Sequence, residues 1–184
     1  MILATAPQHA ASLLADDPRT ADTARMLGDY CYEPIGTVYL GYPATVALPF
    51  PMLGIIGSDE RRLGQWVFDR GALEGTHGLM AFVLSGNGHW DTLDNRELAE
   101  TLHGELQQIL GRALPRPQWS QVIRERKATF SCRPNLPRPA LRTARSGLWL
   151  AGDYVCADYP ATLEGAVRSG VAVAHAILAT PGKA

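Results

Sequence analysis

The residues best placed to do chemistry lie in one segment, from Gly147 to Leu178. It begins with a short apolar run over residues 148–151, which predicts a buried strand of an α/β sheet. The run stops at Gly152, and the carboxylate of Asp153 follows at once. A short hydrogen-bond acceptor beside a glycine turn suits a hydroxyl of a bound cofactor. Alone, the same pair would equally be a strand-ending turn with an Asp cap.

A helix is expected directly after this turn. Tyr159-Pro160 biases the backbone away from helix, and either Thr162 or Asp158 can cap the helix that follows. The apolar and small residues that repeat at helical spacing on one face are Leu163, Ala166, Val167, Gly170, Val171, Ala174, Ile177 and Leu178. The N–H groups at the start of such a helix suit phosphate or electron-rich ring oxygens, so the whole segment is a layout for holding a dinucleotide cofactor.

This segment resembles the C-terminal FAD-binding motif of the amine oxidase and phytoene desaturase superfamily. The motif reads apolar-Ala-Gly-Asp, a spacer, then Gly-Ala-x-x-Ser-Gly, and it is matched by residues 151–153 and 165–170. The wording GDYVCADYPATLEGAVRSG is most similar to the squalene-associated FAD-dependent desaturases, also called hydroxysqualene dehydroxylases. The blocks ILATAP, YEPIGTVYLGYP, PMLGIIG, GQWVFDRG and VIRERKATFSCRP occur in the same order in that family, so the resemblance spans nearly the whole chain.

The resemblance implies FAD as the cofactor. It implies that Asp153 accepts a hydrogen bond from a ribityl hydroxyl, and that Thr162 and Leu163 offer helix N-terminal amides to the flavin ring. The positive end of that helix would stabilise negative charge on the reduced ring. The cofactor-binding residues expected on this basis are Gly152, Asp153, Pro160, Thr162, Leu163, Gly165 and Ala166.

The implied activity is reductive dehydroxylation of hydroxysqualene to squalene in hopanoid synthesis. Alternatives are a carotenoid-type desaturase, an amine oxidase, or a catalytically silent domain that binds lipid or a partner chain. The superfamily's N-terminal G-x-G-x-x-G turn has no counterpart here, and Gly86-Asn87-Gly88 lacks both the third glycine and a surrounding βαβ unit. The chain is therefore expected to be the C-terminal part of a longer enzyme, inactive without the N-terminal FAD-binding segment.

The sequence indicates catalytic and substrate-binding residues less clearly than cofactor-binding ones. Asp158 and Tyr159 precede the flavin-facing helix, where either could donate a proton to a departing hydroxyl, although turn capping is an equal alternative. Aromatic residues on expected sheet strands could line an apolar tunnel for an isoprenoid, or could be ordinary core: Tyr39, Trp66, Phe68 and Phe82. The five histidines show no metal-ligand spacing, so no metal is expected.

Composition is that of a globular domain, with 184 residues, 46% hydrophobic and 19% charged. Neither a transmembrane run nor a signal peptide is evident, so a cytoplasmic location is expected. The net charge of -1 conceals a basic stretch, because residues 112–145 carry nine Lys or Arg against one acidic residue. That stretch suggests either a solvated surface or contact with an anion or the inner membrane face. Nucleic acid is not expected as a partner, and an uncovered apolar surface makes homo-oligomers conceivable.

Hydrophobic periodicity predicts an α/β (α+β) fold. The resemblance implies a mixed-sheet substrate-binding domain over residues 1–132, followed by the C-terminal strand and helix of a Rossmann-like FAD domain over 133–184. Helices are expected over residues 8–15, after Asp17-Pro18 with Asp17 as cap, from the capping box 94–97 to Gly111, and from Thr162 onward. Strands are expected at 2–5, 36–42, 64–70, 79–84, 118–127 and 148–151.

Overall fold

The computed structural model describes residues 1–56 and 62–179, and the chain divides into two compact units. The discontinuous unit comprises Met1–Tyr32 and Thr129–Ala184, and the continuous unit is Glu33–Ala128. This division differs from the predicted boundary after residue 132, because the first segment of the chain clusters with the C-terminal segment. The parallel pairing of the first strand with the last accounts for that difference.

The elements follow one another in a mixed α/β order. They are β1 Ile2–Leu3, α1 Pro7–Leu14, α2 Ala21–Gly28, β2 Tyr32–Gly41, β3 Met52–Gly54, β4 Trp66–Asp69, α3 Arg70–Glu74, β5 Leu79–Ser85, a 3-10 turn His89–Asp91, α4 Asn95–Leu110, β6 Trp119–Phe130, β7 Trp149–Leu150 and α5 Leu163–Leu178.

The discontinuous unit contains a two-stranded parallel sheet, in which Ile2 lies opposite Trp149 and Leu3 opposite Leu150. Its core is formed by α1, α2, the strand ends and the residues that follow them; the buried members include Leu14, Leu27, Phe130, Leu150 and Tyr154. Helix α5 contributes a narrow buried stripe of Gly165, Ser169 and Val173. A parallel sheet normally has both faces covered by other elements, so two short strands are a minimal version of that architecture.

The continuous unit is a five-stranded sheet in the order β3-β4-β5-β2-β6, with α4 on one face. In the run β3-β4-β5-β2, each strand is antiparallel to its neighbour. Helix α4 begins at the Asp94 capping box and ends at Gly111 in the left-handed conformation. Its residues Leu98, Leu102 and Leu106 are fully buried against the sheet.

Two buried carboxylates close this core. Asp69, which is 3% exposed, accepts N–H groups from Leu48 (2.9 Å) and from Gly71 (2.9 Å) at the start of α3. Glu105 of α4, which is 6% exposed, accepts those of Leu63 (2.6 Å) and Gly64 (3.0 Å). Each carboxylate thus ties a loop to the sheet or to the helix through charge-assisted hydrogen bonds.

The predicted elements are confirmed to within a few residues, and so is the capping box. The predicted Asp17 cap is wrong: α2 begins at Ala21, and the Asp17 carboxylate instead binds the backbone and guanidinium of Arg19. Strand β3 and helix α3 were not predicted. Both have only three to five residues, too few for a periodic signal. Within the described ranges, no helix is long and apolar enough to span a membrane.

Candidate functional site

The Gly-Asp turn is fixed to α5 by a serine. The Gly152 N–H donates to Ser169 Oγ (2.8 Å), and the Ser169 hydroxyl donates to the Ala166 carbonyl (2.7 Å). Ser169 is 2% exposed. A Cβ at position 152 would lie 2.4 Å from the ring of Tyr154, which explains why a glycine occupies this turn. The turn and the helix are therefore held as one piece.

The N-terminus of α5 is well formed and open. Thr162 is its N-cap and accepts the Gly165 N–H (3.1 Å), which decides between the two capping candidates. Leu163, the first helical residue, is 88% exposed. Gly165 is buried, and a Cβ there would lie 3.3 Å from Cβ of Tyr159. The loop that precedes α5 thus packs on the buried side of its first turn, while the outer side carries helix N–H groups that have no helical acceptor.

The carboxyl of Asp153 is half-buried, and burial raises its pKa above the ordinary value of 3.8. The backbone N–H of Tyr154 and the charge of Arg138 oppose that rise. The Arg138 guanidinium lies over the Phe130 ring (4.9 Å) and donates to the carbonyls of Asp153 and Cys156. Arg138 therefore fixes the backbone on the C-terminal side of the Gly-Asp turn.

Several buried oxygens lie at the carboxyl end of the β1–β7 pair. Thr5 follows β1, as Asp153 follows β7, and its Oγ1 is buried without a hydrogen-bond partner among the described residues. The same holds for Oε1 of Gln8 and for the hydroxyl of Tyr154, whose pKa burial raises to about 12. Unsatisfied buried polar atoms are rare in folded proteins, and the carboxyl ends of parallel strands are where α/β sheets bind ligands.

The two catalytic candidates line a cavity beside this turn. Asp158 is exposed and Tyr159 half-buried, and both border an open space of about 640 Å³ with Cys132, Asn135 and Leu136. Arg168 lies over the Tyr159 ring at 4.9 Å. Asp158 does not cap α5, since Thr162 does, so its carboxylate is available to the cavity.

The substrate-pocket candidates separate onto the two faces of the continuous unit's sheet. Directly paired residues form one row, Met52–Phe68–Ala81–Tyr39, and a second row, Gly54–Trp66–Val83–Thr37, on the same face. Tyr39, Trp66 and Phe68 therefore share a face, and Trp66 is 44% exposed. Phe82 pairs with Val38 on the opposite face, fully buried under α4.

Sequence reasoning missed the residues that position the site. Ser169 was visible as a small residue of the motif, and its four-residue spacing from Gly165 and Val173 signals a buried stripe. Arg138 was counted only as part of the basic stretch. Thr5 and Gln8 gave no local signal, because their role depends on the pairing of β1 with β7 across the length of the chain.

The basic stretch has structural uses for several members. Arg124 donates to the Leu93 carbonyl (2.8 Å), Arg142 lies over Trp149, and Arg145 pairs with Asp17 (3.4 Å). With Arg138, four of the nine basic residues of this stretch thus have contacts within the protein. Within residues 1–56 and 62–179, no group of three or more His, Cys, Asp or Glu side chains could hold a metal ion.

The fold agrees with that of two solved structures: an Exiguobacterium protein assigned as a protoporphyrinogen oxidase (TM-score 0.67) and the cyclohexylamine oxidase of Brevibacterium oxydans (TM-score 0.66). Each is 14% identical; they cover 96% of this chain, which covers 40% and 42% of theirs.

The chain belongs to the flavin-containing amine oxidoreductase family, whose model matches residues 1–178. It is 30% identical to the hydroxysqualene dehydroxylase of Rhodopseudomonas palustris over 97% of its length, and 29% identical to that of Zymomonas mobilis over 80%. A third hydroxysqualene dehydroxylase, of Sinorhizobium fredii, is 32% identical over 65% of the chain. The chain spans 27–38% of the length of these relatives.

The family's cofactor is FAD, and the residues present fit part of it. The observation that supports the fit is the group of unsatisfied buried oxygens next to a half-buried carboxylate and an open helix N-terminus. A polyhydroxyl chain and an electron-rich ring would satisfy these groups.

Proposed function

We propose that this chain is the C-terminal part of an FAD-dependent oxidoreductase that converts hydroxysqualene to squalene, a step of hopanoid synthesis. The names of the relatives support the substrate. The observation that carries the proposal is the Ser169-clamped Gly-Asp turn beside the open start of α5, because it presents acceptor and donor groups in one rigid arrangement.

The protein's own contribution would be to bind, orient and protonate. Asp153 would accept a hydrogen bond from the cofactor's hydroxyl chain, and the amides of Thr162 and Leu163 would face its ring, where the positive helix end favours negative charge. Gly152, Pro160, Gly165 and Ala166 would shape the backbone around it. When bound, reduced FAD supplies the hydride.

For the leaving hydroxyl, a proton donor is needed. Tyr159 or Asp158 would donate a proton so that the hydroxyl departs as water, leaving an allylic or tertiary cation for the hydride to quench. Both side chains border the same cavity, beside the start of α5. The balance is one proton and one hydride consumed, one C–O bond broken and one C–H bond formed.

The isoprenoid would lie on the open sheet face of the continuous unit. Tyr39, Trp66 and Phe68 give that face an apolar aromatic surface, and Met52 extends it to the edge. Phe82 has a different role in this proposal, as core beneath the face. Replacing Phe68 by Ala should raise the KM for the isoprenoid with little change in stability, whereas Phe82→Ala should destabilise the fold by about 3–5 kcal/mol.

The N-terminal FAD-binding segment of the enzyme is the partner that the discontinuous unit requires. The apolar side chains of α5 point outward, with Leu163 88%, Val167 62% and Leu178 83% exposed. Among the described residues, no strand other than β7 pairs with β1. Both features fit a further strand-and-helix layer carried by the rest of the enzyme.

A second candidate is a catalytically silent domain that holds lipid or a partner chain, and the exposed face of α5 favours it. An amine oxidase or carotenoid-type desaturase is less well supported. Tyr154 is fully buried, and Tyr159 is engaged with Arg168, so these two rings do not form an aromatic cage.

The proposal also includes a cytoplasmic location and contact with the inner membrane face. The contact would be made through Arg112 and Arg116, which are both exposed, and sedimentation with anionic vesicles tests it.

The test is flavin absorbance followed by turnover. The chain is purified alone and after co-expression with the upstream part of its gene, and hydroxysqualene is then supplied under reducing conditions. Flavin and squalene only in the co-expressed sample support the proposal. Bound isoprenoid with no flavin in either sample favours the silent domain instead.

The control is a matched pair of aspartate substitutions in the complete enzyme. Asp153→Ala should lower flavin content, because the half-buried acceptor is lost, whereas Asp29→Ala changes an exposed aspartate of the same unit and should not. Unchanged flavin content in Asp153→Ala would refute the cofactor assignment.

A further inference from the structure

A groove lies within the continuous unit, between α4 and residues 114–122, which lead into β6. Its volume is about 1080 Å³, large enough for a small molecule of drug size. Helix α4 lines it with residues spaced four apart, which share one face of the helix: Asn95, Ala99, His103 and Gln107. None of the lining residues belongs to the cofactor or substrate candidates, so the groove is a separate candidate site.

The charged side chains that line the groove leave it with an excess of positive charge. Arg96 donates to the Glu100 carboxylate (3.0 Å), so these two charges offset each other. Arg116 lines the groove from the segment before β6 and has no acidic partner among the described residues. Its charge also acts on His103, since burial and this charge lower the pKa of the ring. The groove therefore favours an anion.

Two side chains of α4 that line the groove have an unused hydrogen-bonding nitrogen. Gln107 Oε1 accepts the Leu114 N–H (3.0 Å), which leaves the amide nitrogen Nε2 as a donor. His103 Nδ1 lies 2.9 Å from the Tyr42 hydroxyl, and its Nε2 has no partner in the described part of the chain. An anion would select the tautomer with the proton on Nε2. With the guanidinium of Arg116, these nitrogens form a donor set that suits a carboxylate or a phosphate.

The groove also has an apolar part. The buried residues Leu40 and Ala99 line it, together with Val122. Trp119 is 50% exposed, yet its ring rests directly against β2: a Cβ at Gly41 would lie 2.3 Å from the indole Cε2 and Nε1. A glycine is thus needed at position 41 for the ring to lie there. The indole gives the groove a flat apolar surface of fixed position.

We propose that this groove binds a free amphiphilic anion. Its carboxylate or phosphate lies at Arg116, His103 and Gln107, and its apolar body lies along Trp119. The ligand class comprises alkyl carboxylates and alkyl phosphates. The site shares no residue with the cofactor site or the proposed reaction, and shares only Arg116 with the proposed membrane contact.

Isothermal titration calorimetry of the full chain, with ligands below the concentration at which they form micelles, tests the binding. Octanoate or octyl phosphate should bind at one site per chain, and the tighter of the two identifies the preferred head group. Octanol lacks the charge and acetate lacks the apolar body, so each should bind weaker by about tenfold or more. Binding of neither anion, or octanol or acetate binding as tightly as octanoate, would overturn the proposal.

A matched pair of arginine substitutions separates the groove from general attraction of anions. Arg116→Gln should weaken binding of the anion about tenfold, the loss expected for one charge-assisted hydrogen bond. Arg112 is exposed as well but does not line the groove, so Arg112→Gln should leave the affinity unchanged. Equal losses in the two variants would refute the assignment to the groove.

Two further measurements locate the ligand and its source. Trp119→Ala should weaken binding and Trp119→Phe should retain most of it, and the NMR signals of the His103 ring should shift on addition of octanoate. Shifts confined to other histidines would place the ligand elsewhere and refute the proposal. Binding of the chain to phosphatidylglycerol vesicles, with no binding of octanoate or octyl phosphate, would assign Arg116 to a lipid surface and equally refute it.

Discussion

The two helices of sixteen residues, α4 and α5, differ sharply in how much of their apolar surface is buried. In the continuous unit α4 buries Leu98, Leu102 and Leu106 completely. In the discontinuous unit α5 buries only Gly165, Ser169 and Val173 and leaves its large apolar residues exposed. Periodicity alone would rank the two as equivalent. The comparison teaches that the same helical periodicity can accompany a helix packed into a core, as in α4, or a helix whose large apolar residues are largely exposed, as in α5.

The largest expected contrast between the helices concerns the free energy of unfolding when one leucine of each is replaced by alanine. Leu102→Ala should reduce the free energy of unfolding by about 2–5 kcal/mol, because it opens a cavity in a closed core. Leu163→Ala should change it by less than about 0.5 kcal/mol, since an exposed side chain has no packing to lose. Hydrogen exchange, followed separately in peptides from the two units, measures both. Equal effects would remove the contrast between the helices.

The next largest loss of stability is expected when the hydrogen bond between Gly152 and Ser169 is removed. Ser169→Ala leaves the Gly152 N–H without its acceptor in a partly buried position, at a cost of about 1–3 kcal/mol. Amides of residues 150–155 should exchange faster in this variant than in the parent chain. Ser120→Ala, on an exposed strand, serves as the control and should leave that segment unchanged.

The two helix caps allow a finer comparison. Asp94 accepts the N–H groups of Arg96 and Glu97 (both 2.8 Å), whereas Thr162 accepts only that of Gly165 (3.1 Å). Asp94→Ala should therefore cost about 1–2 kcal/mol and Thr162→Ala about 1 kcal/mol or less. Denaturant titration with helical circular dichroism checks the order. A larger loss in Thr162→Ala would mean that α5 depends more on its cap than on its packing.

The smallest expected effect is on the pH dependence of stability, which should have opposite signs in the two units. Burial raises the pKa of Asp153, so its stabilising contribution is present in full below 3.8 and lost as pH rises through the folded value. Burial, with the charge of Arg116, lowers the pKa of His103, whose contribution is present above 6.5 and lost as pH falls through the folded value.

From pH 7 toward pH 4, the contribution of His103 should therefore fall and that of Asp153 should rise. The His103 ring nitrogen Nδ1 lies 2.9 Å from the Tyr42 hydroxyl, whose pKa burial raises well above its usual value, so Tyr42 remains neutral. Asp153→Asn and His103→Gln should each flatten the pH dependence in their own unit. Hydrogen exchange at several pH values reads both, and slopes of the same sign would contradict the assignment.

Much of the fold could be predicted from the sequence, for reasons that the residues make plain. The leucine stripe of α4, the capping box at Asp94 and the small-residue pattern of α5 are local signals, and the elements they predicted are confirmed. The pairing of β1 with β7 was not predictable by the same means, since two-residue strands carry almost no periodicity. That pairing moves the start of the chain into the C-terminal unit.

For a related reason, the sequence could place some residues of the candidate site but not others. The sequence placed Gly152 at the turn and gave Thr162 as one of two possible N-caps, because such residues report their own backbone conformation. It could not place Phe82 beneath the sheet while Phe68 lies on its open face, since both are aromatic residues on strands and only strand register separates them. Nor could it show that Arg138 fixes the backbone of Asp153, a contact made through a loop rich in proline.

The hydrogen bond between Gly152 and Ser169 also bears on how quickly an enzyme of this kind could be assembled. A loop that must be ordered when its counterpart arrives slows association and weakens it by the entropy of ordering. Here the turn is already tied to the helix, so the encounter would meet a rigid template. Docking of the FAD-binding segment proposed above should then proceed at a rate set by diffusion and orientation, rather than by rearrangement of the turn.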